Sequence, residues 1–152
     1  MKILRLIILP LLFVSFIGKA QSSYLVEQIG RNQHQIVQSL GAFVGNEHAE
    51  SQAFDITFMP SGNNVEGVMI INTADYRATF RMDTRKEECF KIEIIIRKGP
   101  FLQEFLQLFQ VYPTTGTEQL RQMKFGNRTL QIEEQSNPLR PLPRTYIITE
   151  IK

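Results

Sequence analysis

The sequence contains few of the side chains on which enzyme chemistry usually depends. Its 152 residues include one cysteine, two histidines and no tryptophan. With Cys89 alone, no disulfide can form within the chain. Neither a Gly-x-Ser-x-Gly motif nor a glycine-rich phosphate loop is present, and the absence of tryptophan disfavours a site that stacks on sugars. We therefore expect no catalytic residue, no metal and no cofactor.

Two alternatives for chemistry stay open at this point. Glu47, His48 and Glu50 are the best candidates for metal ligands, although their spacing does not match ligands placed one helical turn apart. Cys89 is a candidate nucleophile, but a lone cysteine at the start of a strand is more typical of a small buried apolar residue. On either alternative, the protein would be a small metal-dependent or thiol enzyme, which is the less favoured hypothesis for its function.

Long apolar runs are absent except at the N-terminus. Lys2 and Arg5 precede the apolar segment 6–17, and small residues follow up to Ala20. A helix that spans a bilayer needs about 20 apolar residues, which is more than this run supplies. The order of basic, apolar and small residues instead predicts a signal peptide that is cleaved between Ala20 and Gln21. The expected location is the periplasm or the exterior of a bacterium.

Removal of the predicted signal peptide, residues 1–20, changes the charge of the chain. The mature part, residues 21–152, keeps 14 Lys and Arg against 15 Asp and Glu, so the net charge falls from +2 to −1. Such a balance gives no reason to expect a nucleic-acid partner or a membrane-surface partner. Its 132 residues are the size of one domain, and no other segment is long enough to span a membrane.

Two segments have the apolar spacing of amphipathic helices. Residues 24–43 place most of their apolar side chains within one arc, with glycines near the end. Residues 101–112 follow Gly99-Pro100 and stop before Pro113, which suits a helix with proline in its first turn and after its end. We expect both helices to pack on a sheet.

Between and after these helices the apolar period is two, as in half-buried strands. Short turns join the runs, which favours an antiparallel sheet. The expected fold is α+β, with two helices on six to seven strands in the order α-ββββ-α-βββ. The predicted strands are residues 54–58, 65–71, 76–83, 89–97, 119–125, 128–134 and 146–151.

The two most regular strands yield the one candidate binding site. In strand 89–97, the expected core face carries Phe90, Ile92, Ile94 and Ile96, and Cys89 falls on the outward face with the odd-numbered residues. A basic stripe then lies on the outward faces of this strand and its neighbour, formed by Arg77, Arg81, Lys91 and Arg97. Its functional interpretation is a site for an anion or an acidic partner. The alternative is a solvated face with cross-strand charge pairs.

We therefore expect a non-catalytic binding module that engages a protein or a small molecule. An alternative to this module is a carrier that grips an apolar ligand between the curled sheet and helix 101–112. The cavity of such a carrier would be lined by Phe54, Phe58, Phe80 and Phe90.

Export with cleavage predicts a defined mature N-terminus. Protein purified from the periplasm or medium of its own cells should begin at Gln21, as read by intact mass spectrometry. Ala20→Phe should block cleavage, because signal peptidase requires a small residue at that position. Full-length protein retained in the membrane fraction would contradict the prediction.

Overall fold

The computed structural model describes five stretches of the chain. Most of the predicted signal peptide, the candidate ligands Glu47, His48 and Glu50, and Phe54 lie outside them. None of the described helices is both long and apolar enough to cross a membrane. The described residues are 20–44, 57–60, 66–83, 85–137 and 139–151.

The fold is α+β, as predicted, and its strands form one antiparallel sheet of eight strands. Three helices are described: α1 (Ala20–Val26), α2 (Gln33–Val44) and α3 (Gly99–Val111). The strands are β1 (Thr57–Pro60), β2 (Glu66–Asn72), β3 (Tyr76–Asp83), β4 (Glu88–Ile96), β5 (Thr114–Gly116), β6 (Leu120–Phe125), β7 (Arg128–Glu134) and β8 (Arg144–Ile151). The short edge strand β5 is an addition to the predicted set.

The sheet consists of two meanders joined at its centre. Its strand order is β1-β2-β3-β4-β8-β7-β6-β5. Helix α3 carries the chain from β4, in the middle, to β5, at the far edge, and the second meander then returns to β4 through β8. Strand β4 therefore has a partner on each side, β3 and β8.

One face of the sheet forms the hydrophobic core together with all three helices. Helix α3 contributes Phe101, Phe105 and Leu108 to this core. The ring centroids of Phe105 and Tyr146 lie 4.7 Å apart. Helix α1 adds Leu25 and Val26, the turn after it adds Ile29, and α2 adds Ile36. Large apolar side chains such as these each stabilise the fold by about 1.5–3 kcal/mol when fully buried. The sheet contributes Met69, Ile71, Ala78, Phe80, Met82, Cys89, Ile92, Ile94, Ile96, Met123, Leu130, Ile132, Tyr146 and Ile148.

The prediction of one continuous helix over residues 24–43 is wrong, because a turn separates α1 from α2. Gly30 lies in this turn with a φ of +77°, a conformation that favours glycine. The Gly30 N–H donates to the Cys89 carbonyl at 2.7 Å, and the Cys89 N–H donates to the Arg31 carbonyl at 2.9 Å. The turn thus pairs with the start of β4, a long-range contact that helical periodicity does not reveal.

Asn32 and Gln35 define the start of α2 after this turn. The Gln35 N–H donates to Asn32 Oδ1 at 2.8 Å, and the Asn32 N–H donates to Gln35 Oε1 at 3.0 Å. This reciprocal arrangement is a capping box, which satisfies backbone N–H groups that have no partner within the helix.

A β-bulge changes the faces that were predicted for the start of β4. Arg81 pairs with Lys91, but the next residue, Met82, pairs with Cys89, so Phe90 is an extra residue in the strand. Cys89 therefore points into the core and is 1% exposed, whereas Phe90 is 38% exposed. The assignment of Phe90 to the core face is therefore wrong, whereas the interpretation of Cys89 as a small buried apolar residue is confirmed.

The turn at Gly30 predicts a measurable loss of stability in Gly30→Ala. A Cβ at this position would overlap the guanidinium of Arg128, which donates to the Ile29 carbonyl, and would also face a left-handed backbone. We expect the free energy of unfolding to fall by about 2 kcal/mol, measured by urea denaturation.

Two other glycines serve as matched controls for this experiment. Gly126 has a φ of +59° but open space around it, so Gly126→Ala reports backbone strain alone and should cost about 1 kcal/mol. At Gly99 an added Cβ meets nothing within 4 Å, and its substitution should change stability by less than about 0.5 kcal/mol. Equal stabilities of the Gly30 and Gly99 variants would contradict the proposed role of the turn.

Candidate binding surface

The open face is the face of the sheet opposite the core. The described helices contribute their buried residues to the core side, so none of them covers the open face. Alternation along the strands places partly exposed side chains there, including Ile70, Thr79, Ile95 and Ile147. The open face is thus a sheet surface whose side chains are only partly buried.

Three of the four predicted site residues meet on this face. Arg81 lies directly opposite Lys91 in the β3–β4 ladder, and Arg77 lies opposite Ile95. Directly opposed side chains have Cβ atoms about 4.5–5.5 Å apart. We call Arg77, Arg81 and Lys91 the basic cluster; each of the three is partly buried, and the Nε atom of Arg81 is itself buried.

Arg97, the fourth predicted site residue, has a different environment. It follows the last residue of β4, and its Nη1 donates to the Thr73 carbonyl at 2.9 Å. Its backbone N–H donates to the Asp75 carbonyl at 2.8 Å. Arg97 therefore holds the turn between β2 and β3, and the structure does not bring it into the basic cluster.

Acidic side chains stand among the basic cluster on the open face. Glu93 lies opposite Thr79 and is diagonal to Arg77 and Arg81. Asp83 continues the same face, but its Oδ1 accepts hydrogen bonds from the backbone N–H groups of Arg85 at 2.9 Å and Lys86 at 3.3 Å. These hydrogen bonds lower the pKa of Asp83 and hold its carboxylate in the hairpin turn. Glu88, which is exposed, lies opposite Asp83, so three carboxylates accompany the three cations on this part of the open face.

The thiol of Cys89 is buried beneath this surface. Burial raises the pKa of Cys89 to about 12, so the protonated thiol dominates at neutral pH and the thiolate, the nucleophilic form, is scarce. Its Sγ donates weakly to the Lys91 carbonyl at 3.6 Å. This environment is typical of a structural cysteine and does not favour thiol catalysis.

The other residues proposed for chemistry or ligand binding do not form a site in the described structure. Within residues 20–44, 57–60, 66–83, 85–137 and 139–151, no group of His, Cys, Asp and Glu is arranged to hold a metal ion. Phe80 lies in the core and Phe90 is partly exposed beyond it, so the predicted carrier cavity containing both of them is wrong. The side chains of Phe54 and Phe58 lie outside the described part of the chain.

The buried thiol predicts a pH dependence of stability with a defined sign. The folded chain retains the Cys89 proton up to a pH of about 12, whereas an unfolded cysteine loses it near pH 9. Stability should therefore fall as the pH rises through this interval, because only the unfolded chain ionises freely there. The contribution of one such group reaches about 1.4 kcal/mol per pH unit.

Urea denaturation between pH 7 and pH 11 checks this expectation, with Cys89→Ala as the comparison. The variant should lose stability less steeply above pH 9, although Tyr76, whose pKa burial raises to about 12, still adds to the slope in both proteins. Parallel stability curves for the two proteins would show that the thiol does not ionise on unfolding as argued.

No family model, no curated protein and no solved structure matches the chain.

Proposed function

We propose that the mature chain is an exported, non-catalytic binding module that engages a protein partner through the open face. The main support for this proposal is that the described helices lie on only one side of the sheet. All three described helices pack on the core face, and the basic cluster lies on the other face. A rigid sheet face that supports arginine beside aliphatic side chains has the composition of many protein interfaces.

The charges of the open face are of both signs. On β3 and β4, three cations of the basic cluster stand among the carboxylates of Asp83, Glu88 and Glu93. On the β6–β7 side, the face carries Lys124 and Glu133. A face with this pattern favours a partner surface whose own charges are arranged to complement both signs.

The scarcity of reactive groups supports binding over catalysis. The thiol of Cys89 lies in the core with a raised pKa. The basic cluster contains no nucleophile, and arginine and lysine at a solvent-facing surface act mainly through charge and hydrogen bonding.

Site-specific photocrosslinking in the native cells tests the proposal. Benzoylphenylalanine placed at Thr79 or Thr145, on the open face, should yield a discrete protein adduct. The same group at Gln103 or Gln107, which are exposed on α3, should yield none. The double substitution Arg81→Glu and Lys91→Glu should reduce the open-face adduct at least tenfold, because it reverses two central charges.

A matched control separates the surface from net charge. Arg85→Glu with Arg140→Glu makes the same change in net charge at two exposed positions in loops and should leave the adduct intact. Equal crosslinking from both faces of the protein, or equal loss in both double variants, would refute the open face as the binding surface.

A further inference from the structure

The predicted cleavage point lies next to the contact between α1 and α3. Ser22, the second residue of the predicted mature chain, is 1% exposed. Its backbone N–H donates to Glu104 Oε1 at 3.1 Å, and its hydroxyl donates to the Glu104 carbonyl at 3.4 Å. Cleavage between Ala20 and Gln21 therefore creates an amino terminus one residue away from a point where α1 is held by a carboxylate of α3.

Backbone geometry limits the distance between the new amino group and this carboxylate. Gln21 and Ser22 both belong to α1, and the backbone nitrogens of neighbouring helical residues lie about 3 Å apart. The Ser22 nitrogen lies 3.1 Å from Glu104 Oε1. The nitrogen of Gln21 is thus within about 6 Å of the same oxygen, a distance at which opposite charges stabilise each other's ionised form.

The Glu104 carboxylate lies where water screens its charge only in part. Glu104 is partly buried, and burial, followed by the charge of Glu104, raises the pKa of Tyr76 to about 12. A cavity of about 210 Å³ is lined by Glu104 and Ser22, so a chain end has room to turn towards the carboxylate. Opposite charges in such surroundings attract each other more strongly than at an exposed surface.

Cleavage changes the chemical state of the Gln21 nitrogen. In the uncleaved chain this nitrogen is a neutral amide. Hydrolysis of the Ala20–Gln21 bond consumes one water molecule and leaves a carboxylate on Ala20 and an ammonium group on Gln21 near neutral pH. A positive charge at the start of a helix is by itself unfavourable, because the helix dipole is positive there. Glu104 supplies the opposite charge that such an end requires.

We infer that Glu104 is the binding site for the mature amino terminus of this chain, and that the resulting ion pair fastens α1 to α3 only after the signal peptide is removed. This inference rests on the export and cleavage in the proposed function and is independent of the open face. Cleavage then becomes a conformational step, since the mature chain gains a contact that the uncleaved chain lacks.

Acetylation of the amino terminus tests this ion pair. Mature protein is unfolded, acetylated selectively at its α-amino group at a pH where lysine side chains stay protonated, and refolded. Loss of the charge should raise the equilibrium constant for unfolding about fivefold, as measured by urea denaturation. Without the ion pair the sign reverses, because acetylation then removes a charge that the helix dipole disfavours. Unchanged or increased stability after acetylation would overturn the inference.

Glu104→Gln isolates the contribution of the carboxylate. Glutamine keeps an oxygen that can accept from the Ser22 N–H but carries no charge, so acetylation should no longer destabilise this variant. The matched control is Glu118→Gln, which removes one carboxylate at an exposed position between β5 and β6 and should keep the fivefold effect. An equal effect of acetylation in Glu104→Gln and in the unsubstituted protein would refute Glu104 as the partner.

The reactivity of the amino terminus is a readout that needs no variant. Acylation consumes the unprotonated amine, and pairing with Glu104 should raise the pKa of the α-amino group. We therefore expect an activated ester at pH 7 to label Gln21 at least fivefold more slowly in the folded protein than in urea. Equal labelling rates would contradict the ion pair even if Glu104→Gln fails to fold.

Two further outcomes separate this inference from the proposed function. An exported protein whose amino terminus is not Gln21 would overturn the predicted cleavage and this inference together. A protein that begins at Gln21 and responds to acetylation as expected, but yields no crosslink from the open face, would support the docked amino terminus and refute the proposed binding surface.

Discussion

Much of this structure depends on the pairing between the Gly30–Arg31 turn and the backbone of Cys89. Two hydrogen bonds, of 2.7 and 2.9 Å, join residues almost sixty positions apart in the chain. They require the chain to leave the helical conformation between α1 and α2. They also give the start of β4 a partner where its pairing with β8 has ended, since a buried backbone group without a partner is costly.

The consequences of this pairing reach both faces of the sheet. On the core side, Cys89 is buried and the turn brings Ile29 into the same cluster as the sheet. On the open side, Phe90 follows as the extra residue of the bulge. Arg128 reinforces the arrangement from the second meander, because its guanidinium donates to the Ile29 carbonyl and its Nε lies 3.7 Å from Glu150. One turn thus connects the helical layer, the core and the candidate surface.

The parts of this fold that follow from local pattern were predictable, and the parts that follow from long-range backbone pairing were not. The period of two in β3 and β4 placed Arg77, Arg81 and Lys91 on one face, and Pro100 and Pro113 bounded α3. The split of the first helix has local signals that periodicity overlooks, namely Gly30 and the capping box of Asn32 and Gln35. The bulge at Phe90 depends on pairing across the molecule and leaves no such signal in its own segment. The position of Arg97 was missed because β4 ends one residue before it.

Exposure of Phe90 costs stability relative to a β4 strand without the bulge. Unbroken alternation from Ile92 would bury Phe90 and turn Cys89 outwards, as the pattern alone predicted. Burial of a phenylalanine contributes about 1.5–3 kcal/mol, so the bulge gives up part of that stabilisation and buries a smaller thiol instead. Local departures from the pattern that best serves the core are concentrated at functional sites. The register of β4 therefore leaves an aromatic ring exposed beside Lys91, where unbroken alternation would bury it.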